Sequence, residues 1–290
     1  MRKVILLFLL FLSVDTVRTQ GQNITFSHLT TDDGLSQFSV NSMYIDEQGI
    51  IWIGTREGLN RYNGNDIKSF KLKKNDPNSL FSNTVLRITG NRNGKVYLLC
   101  TDGVAEFDLA TQRFKKLLQG NVDAIYFNEK LYIGKREEVF VYNESTGNFD
   151  LFYHLAGKNI TLSCLHLDKN KNLWLGTTSN GIYCLSEDKN LSRPVTKGNI
   201  TSIYEDSSNE LWIGSWEEGL YRVKTMTIEG MMCGHCEARV KKTLEAIEGV
   251  ASAEVSHEKG TAVVTLTAPV SDDVLKTAVE AQDYTVKGIQ

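Results

Sequence analysis

The 290-residue sequence is poor in several features, and each shortage excludes a class of protein. Only 3 prolines and 5 cysteines are present, which excludes collagen-like, proline-rich and disulfide-scaffold proteins. The 32 Lys and Arg are balanced by 35 Asp and Glu, for a net charge of −3, so a nucleic-acid partner is not expected. No apolar run reaches the roughly 18 residues that an ordinary membrane span requires.

What remains is the composition of a folded protein. The hydrophobic content is 41% and the charged content 23%, which is typical of a globular core. A chain of this length predicts about two domains. No P-loop, G-x-S-x-G, H-E-x-x-H or kinase signature is present, and the acidic pairs at 32–33 and 217–218 fall in predicted turns, where solvation is expected. We therefore expect a protein that is not an enzyme.

A short apolar run lies at the N-terminus. Arg2 and Lys3 precede the run Val4 to Val14, and a basic start followed by about 7–15 apolar residues is typical of a secretory signal peptide. A buried N-terminal strand or helix is the alternative. We predict a signal peptide over residues 1–22, membrane contact through this segment alone, and a periplasmic or secreted mature protein.

A repeat with a period near forty residues follows. Each strong copy has an Asp six residues before Trp-(Ile/Leu)-Gly-(Thr/Ser), and then a Gly followed by an aliphatic residue. The strong copies contain Asp46 and Trp52, Asp168 and Trp174, and Asp206 and Trp212, and degenerate copies are centred on Tyr97 and Tyr132. Short strands with Gly and Asp turns at this period are typical of β-propeller blades. We expect about five blades, with the three Trp rings packed between blades and Trp216, in a turn, facing a ligand.

One stretch, Ser39 to Gly64, closely resembles the two-component regulator propeller repeat. It reads S-x-N-S-M-Y-x-D-x-x-G-x-x-W-I-G-T-x-x-G-L-N-R-Y-N-G. The resemblance covers roughly residues 23–223 and implies the periplasmic sensory region of a hybrid regulator, with a glycan ligand at a blade-loop face. The family usually has many more blades, and then a β-sandwich, a membrane helix, a kinase and a receiver. Five blades would therefore either close on themselves or form a fragment.

The pattern changes at Lys224. Residues 224–290 predict the order βαββαβ, with helices over Glu237–Glu248 and from Ser271 to about Gln282, which is the ferredoxin-like arrangement. The fold class is thus multidomain, an all-β propeller over residues 23–223 followed by an α+β ferredoxin-like domain over residues 224–290.

Two cysteines, Cys233 and Cys236, lie on the loop before the first predicted helix. Two thiols three residues apart can converge on one metal ion, and a helix start lowers the pKa of a thiol. Soft thiolates select Cu(I), with Zn(II) as the competing ion, whereas a closed structural zinc site needs about four ligands. His235 is either a third ligand or, as we prefer, a solvent-facing residue that tunes the loop. A redox dithiol of thioredoxin type is the alternative.

The motif G-M-x-C-x-x-C within this order closely resembles the heavy-metal-associated domain. That family contains copper chaperones and the N-terminal modules of copper-exporting ATPases. The resemblance implies Cys233 and Cys236 as metal ligands, Met231 as buried support of the loop, and Tyr284 as the aromatic residue beside the site. It also implies a metal-transfer partner such as a copper-transporting ATPase module. The domain taken alone would suggest a cytoplasmic protein.

The other cysteines, Cys100, Cys164 and Cys184, lie in predicted propeller strands and are expected to be small buried apolar residues. A disulfide between Cys164 and Cys184 is the alternative, although two strands of one blade offer unfavourable geometry for it.

The two halves join near Val223 without a linker, and exposed thiols tend to oxidise outside the cytoplasm. An exported sensor with a metal module, a natural gene fusion and a chimera of two genes all remain open explanations. The main functional hypothesis is binding and transfer of Cu(I) by the C-terminal loop, with the propeller as a binding scaffold. The alternative is a truncated sensory module that binds glycan-derived ligands, with the metal domain as a passenger.

Overall fold

The computed structural model describes residues 27–157 and 159–289. The predicted signal peptide at residues 1–22 lies outside these residues and stays a prediction. A short 3-10 helix, Thr31–Asp33, comes first and is followed by 22 strands and two α-helices. Within the described ranges, neither α-helix has the length and apolar character that a membrane crossing requires.

Four antiparallel four-stranded sheets, in which neighbouring strands are consecutive in the chain, form blades 1 to 4. Their strands are β1 Val40–Ile45, β2 Ile51–Thr55, β3 Gly58–Tyr62 and β4 Ile67–Phe70 in blade 1; β5 Val85–Gly90, β6 Lys95–Cys100, β7 Gly103–Asp108 and β8 Arg113–Gln119 in blade 2; β9 Ala124–Asn128, β10 Lys130–Lys135, β11 Glu138–Asn143 and β12 Asn148–His154 in blade 3; β13 Leu162–Leu167, β14 Leu173–Thr177, β15 Ile182–Leu185 and β16 Leu191–Val195 in blade 4. The first strand of each blade contacts the first strand of the next, which makes it the inner strand of a propeller. The predicted propeller is confirmed.

The repeated Asp and Trp have one structural role in common. In the three strong copies, Oδ1 of the Asp accepts the backbone N–H of the residue four positions later. Oδ2 accepts the indole Nε1–H of the Trp at 2.8 Å in all three. One carboxylate therefore closes the hairpin turn and orients the ring. The sequence analysis predicted the turn but missed the bond to the indole.

The Trp rings differ in burial along the arc. Trp52 and Trp174 are 0% and 4% exposed, as expected for rings between blades. Trp212 is only half-buried, so the expectation of a ring packed between two blades is wrong for this residue. Within the described residues no further blade follows the sheet that carries Trp212, and the guanidinium of Arg222 covers its ring instead, at 5.4 Å from the centroid.

Blade 5 is not a separate sheet. It contains β17 Ile200–Glu205, β18 Leu211–Ser215 and β19 Gly219–Glu229, and β19 runs across the junction predicted at residues 223 and 224. The first half of β19 pairs with β18, as a third blade strand does, and the rest pairs with strands of the C-terminal domain. No Gly or Pro interrupts residues 220–229, so nothing ends the strand at the junction.

The C-terminal domain has the predicted order βαββαβ. After the second half of β19 come α1 Gly234–Glu245, β20 Val250–Ser256, β21 Thr261–Leu266, α2 Asp272–Glu280 and β22 Thr285–Ile289. The β20–β21 hairpin pairs along β19 on the edge where the other blades carry their fourth strand. Both helices end before the predicted positions, and α1 begins three residues before Glu237. The core of the C-terminal domain combines one face of each helix with the sheet.

Candidate metal centre

The loop between β19 and α1 is anchored by one side chain and otherwise exposed. Gly230 has a φ of +96°, a conformation that favours glycine and turns the chain out of the strand. Met231 follows and is 8% exposed, within the same apolar core as Leu244 and Val279. Met232 is 86% exposed. Met231 thus occupies the supporting position that the sequence analysis expected.

The early start of α1 brings both cysteines to one helix end. Cys233 is the extended N-cap residue, and its carbonyl oxygen accepts the N–H groups of Cys236 and Glu237 at 2.9 and 3.3 Å. Cys236 therefore lies inside the first turn, where the partial positive charge of the helix terminus favours an anion.

The two thiols face each other. Their Sγ atoms are 3.8 Å apart, well beyond the length of about 2.05 Å of a disulfide bond. The separation is also below about 4.6 Å, twice the Zn–S bond length of about 2.3 Å, which is the largest distance between two thiolates that share one such ion. Cys233 is exposed and Cys236 half-buried. The structure thus brings the two predicted ligands together on an accessible surface.

Hydrogen bonds favour the thiolate of Cys236. The hydroxyl of Tyr284 lowers the pKa of this thiol most, with further contributions from backbone groups of Met232 and Cys233, and the pKa falls to about 7. The same hydrogen bond raises the pKa of the Tyr284 hydroxyl. Tyr284 is 9% exposed, so its ring is held in the core while its hydroxyl reaches the sulfur. A thiolate present near neutral pH is the form that binds a soft metal.

His235 is exposed at the second position of α1. In the described part of the chain, no group of three or more His, Cys, Asp or Glu side chains is arranged to hold a metal ion. The structure therefore does not gather His235 with the two cysteines, and the donor set consists of two sulfurs.

A hydrogen-bonded pair beside the cysteines, Glu237 and His257, stabilises the start of α1. This pair was not predicted from the sequence. Oε1 of Glu237 accepts the backbone N–H of His257 at 2.7 Å and lies 2.6 Å from its ring Nδ1. These two bonds, the backbone one first, lower the pKa of the Glu237 carboxyl. They tie α1 to the end of β20. A Glu in the first turn after C-x-x-C was the available signal, because an acidic residue is favoured there.

The cysteines of the propeller have different surroundings. Burial raises the pKa of the Cys100 and Cys164 thiols to about 11 and that of Cys184 to about 12. All five cysteines are free, so the alternative Cys164–Cys184 disulfide is absent. Only Cys100 is fully buried, and the other two pack against the blade 4 and blade 5 core.

An exposed tryptophan and a surface groove are the two features that bear on the hypothesis of a propeller ligand. Trp216 is 79% exposed between β18 and β19, in a turn as expected. A groove of about 920 Å³ lies between blade 4 and the C-terminal domain, and its lining includes Asn170, Asn172, Arg193 and Lys241. Amide and charged side chains of this kind form hydrogen bonds to polar ligands.

Comparison with known families gives two matches. The model of the heavy-metal-associated domain matches residues 225–285. The model of the two-component regulator propeller matches residues 34–57, 154–179 and 194–217. The N-terminal part thus consists of propeller repeats of the two-component regulator type, and a heavy-metal-associated domain follows it.

Two curated proteins are similar to parts of this chain. The copper chaperone CopZ of Staphylococcus aureus is 42% identical over 62 residues, which cover 21% of this chain and 91% of CopZ. Histidine kinase P4 of Formosa agariphila is 40% identical over 67 residues, which cover 23% of this chain and only 5% of the kinase. The chain therefore spans almost the whole of a copper chaperone but a small fraction of the kinase.

A solved structure supports the propeller fold. The extracellular domain of a regulator from B. thetaiotaomicron, described as a one-component or hybrid two-component system, aligns with a TM-score of 0.54 and 22% identity. The alignment covers 63% of this chain and 27% of that domain, so the chain spans about a quarter of its length. At this level of identity the likeness concerns the fold alone.

Proposed function

Through its C-terminal domain the chain belongs to the heavy-metal-associated domain family, and on this premise we propose that it binds one Cu(I) ion and passes it to a partner protein. The ligands are the thiolates of Cys233 and Cys236. The observation that carries the proposal is their arrangement: two sulfurs 3.8 Å apart on an accessible loop, one with a pKa of about 7.

The choice of Cu(I) follows from the donor set. Thiolate sulfur is a soft ligand and selects soft ions. A structural Zn(II) site is normally closed by about four ligands, whereas this loop offers two sulfurs and no third protein ligand among the described residues. Zn(II) is therefore the weaker competitor. The ion is cargo in this proposal, and no catalytic step on another substrate is involved.

Transfer follows from exposure. A partner thiolate can approach through Cys233, which is exposed, while Met231 holds the loop from the core. As the partner's sulfur–metal bond forms, one sulfur–metal bond of this chain breaks, and neither metal nor thiol changes oxidation state. A partner with an equivalent dithiol, such as a module of a copper-transporting ATPase, fits this exchange.

The test is an anaerobic Cu(I) titration against a chromophoric competitor near neutral pH. We expect one tightly bound equivalent for the unmodified protein and none for Cys233→Ala/Cys236→Ala. Met232→Ala is the matched control, because it removes an exposed sulfur from the same loop and should leave the titration unchanged. Equal binding by the double variant, or no tight binding by the reduced, folded protein, would refute the proposal.

We propose as a second candidate that the propeller is an extracytoplasmic ligand-binding module, with the metal domain as a passenger. The groove between blade 4 and the C-terminal domain favours this hypothesis, because the amides of Asn170 and Asn172 of the propeller line it and oligosaccharides present the hydroxyl groups that amides bind. A glycan screen by thermal shift tests it, with Asn170→Ala/Asn172→Ala as the groove variant. Stabilisation that persists in this variant would exclude the groove as the glycan-binding site. Recovery of the full-length protein only from the cytoplasm would contradict export.

A further inference from the structure

Successive blades meet through a packing unit that recurs along the arc. At three of the four junctions between described blades, the residue that opens the inner strand lies over a glycine in the second strand of the preceding blade. A Cβ added to Gly54 would lie 2.8 Å from Val85, and one on Gly134 would lie 3.0 Å from Leu162. At the next junction, a Cβ on Gly176 would lie 2.9 Å from Ile200. Each glycine thus leaves a space, here called the hole, that a side chain of the following blade fills.

The partners of these holes are fully buried within the arc. The opening residues of the inner strands are at most 1% exposed in blades 2, 4 and 5: Val85, Leu162 and Ile200. The aliphatic residues of the third strands, paired with the glycine or, in blade 2, with Leu99, are 0% exposed in blades 1 to 4: Leu59, Val104, Val139 and Ile182. The same register positions are exposed to solvent in the first and the last blade. Val40 in blade 1 is 43% exposed, and Leu220 in blade 5 is 56% exposed.

A second contact shows the same pattern. Tyr44 of blade 1 reaches over Gly90 of blade 2, where an added Cβ would meet its ring at 2.5 Å. The register equivalent in blade 5 is Tyr204, which is 64% exposed. The register equivalent of Gly90 in blade 1 is Ile45, which is 59% exposed. A ring at this position would lie beside the Ile side chain, as Tyr126 of blade 3 lies beside Leu167 of blade 4.

Polar groups at the junctions are repeated as well. Asn41 donates its amide to the carbonyl of Val85 at 2.9 Å, and Ser163 donates its hydroxyl to the carbonyl of Ile200. Thr201 holds the corresponding position in blade 5. In the first junction, Ser42 accepts the N–H of Ile88 at 3.0 Å, and its counterpart in blade 5 is the exposed Ser202. Blade 5 thus carries both the apolar and the polar half of the junction.

We define the leading face as Tyr204 and Leu220 on blade 5, and the trailing face as Val40, Met43 and Ile45 on blade 1. Met43 is 67% exposed, whereas its register equivalents Ile88, Ile125 and Leu165 are 5–8% exposed. Clustered exposed apolar side chains mark an interaction surface.

We propose that the leading face of one molecule binds the trailing face of a second copy, reproducing the junction that the chain already forms between its own blades. A second copy is the chosen occupant because it presents the complementary half in the same register. The contact is heterologous, because two different faces meet. A dimer therefore still has one free leading face and one free trailing face, and further copies can bind to them.

The test uses sedimentation velocity of the reduced, metal-free protein over a concentration series. Reductant prevents cross-linking through Cys233 and Cys236, so the result is independent of metal binding. We expect the average mass to reach at least twice that of the monomer. Met43→Glu and Leu220→Glu should each stay monomeric, because each places a charge in one of the two faces.

Mixing the two variants separates this contact from other kinds of association. Leu220→Glu keeps an intact trailing face and Met43→Glu an intact leading face, so an equal mixture should form a 1:1 dimer and nothing larger. Leu151→Glu, which changes a residue 57% exposed on the outer strand β12, should associate like the unmodified protein. A far-ultraviolet spectrum verifies that each variant is folded.

Three results would overturn the proposal. The unmodified protein could stay monomeric at every concentration, as it would if blades 1 and 5 closed on each other within one chain. The mixture of folded variants could stay monomeric. The Leu151→Glu protein could lose association to the same extent as the two face variants.

Discussion

The propeller and the C-terminal domain place the same functional group in opposite conditions. Burial raises the pKa of Cys100 to about 11, while the Tyr284 hydroxyl, with backbone groups of the loop, lowers that of Cys236 to about 7. The Cys100 thiol is therefore protonated and enclosed, and the Cys236 thiol is close to half ionised at neutral pH. The position of a cysteine in this chain, rather than its presence, therefore determines its chemistry.

The largest expected effect is a difference in alkylation. In the folded protein near neutral pH, Cys233 and Cys236 should react with iodoacetamide, while the fully buried Cys100 should react only through unfolding. A stability of about 5 kcal/mol or more would slow Cys100 by more than about 10³-fold. The partly exposed Cys164 and Cys184 should also react slowly, because burial raises their pKa to about 11 and about 12. Intact-mass spectrometry should show two adducts in buffer and five in denaturant. More than two rapid adducts in buffer would show that a propeller thiol is reactive in the folded protein.

A smaller effect is expected from loosening the propeller alone. Asp168→Ala removes the acceptor of the Trp174 indole and of a turn N–H, and buried donors left without partners cost about 1–3 kcal/mol. Equilibrium denaturation should report this loss, and alkylation of Cys164 and Cys184 should become faster.

Asp188→Ala is the matched control, because this carboxylate is exposed in a turn of the same blade. It should change stability little. The metal titration should be unchanged in both variants. A weakened titration in Asp168→Ala would mean that the two regions are energetically coupled through β19.

The smallest expected effect concerns the loop. Tyr284→Phe removes the hydrogen bond that lowers the pKa of Cys236 most, so the pKa should move up towards the ordinary value of about 8.5. At neutral pH the thiolate fraction and the alkylation rate should fall, and the difference should vanish above both pKa values. Metal affinity should weaken in the same direction, because protons compete with the metal for the sulfur.

The rate of alkylation as a function of pH measures this shift directly. Tyr204→Phe, an exposed tyrosine of the propeller, should leave the profile unchanged. An unaltered midpoint in Tyr284→Phe would show that the backbone groups of the loop are sufficient to ionise the thiol.

Much of the fold could be predicted because its signals are local. The six-residue spacing from Asp to Trp repeats with the blades, and the alternation in residues 261–266 predicts an inward face. The start of α1 was placed too late because the sequence analysis assigned residues up to Cys236 to the turn. The carbonyl of Cys233 in fact accepts the first hydrogen bonds of the helix, from Cys236 and Glu237. The side chain of Cys233 makes no cap bond, so the usual capping signature does not mark this helix start in the sequence.

The continuity of β19 could not be predicted either. A change of repeat pattern at Lys224 indicates a boundary between families, and a boundary normally falls in a flexible segment. Here the buried positions change phase between Val223 and Lys224: Tyr221 and Val223 belong to the blade core, and Met226 and Ile228 belong to the core of the metal domain. One strand thus serves both domains with opposite faces. Hydrogen bonding across the sheet, which depends on remote strands, decides where such a strand ends.

The blade repeat, the βαββαβ order and the pair of thiols on a loop follow from the sequence, because each depends on residues close together in the chain. Exposure and ionisation depend on the tertiary structure, which brings distant residues together. Leu59 and Leu220 hold the same place in the repeat, yet one is fully buried and the other 56% exposed, because a following blade covers the first alone. Likewise the acidity of Cys236 depends on Tyr284, which folding brings from the far end of the domain.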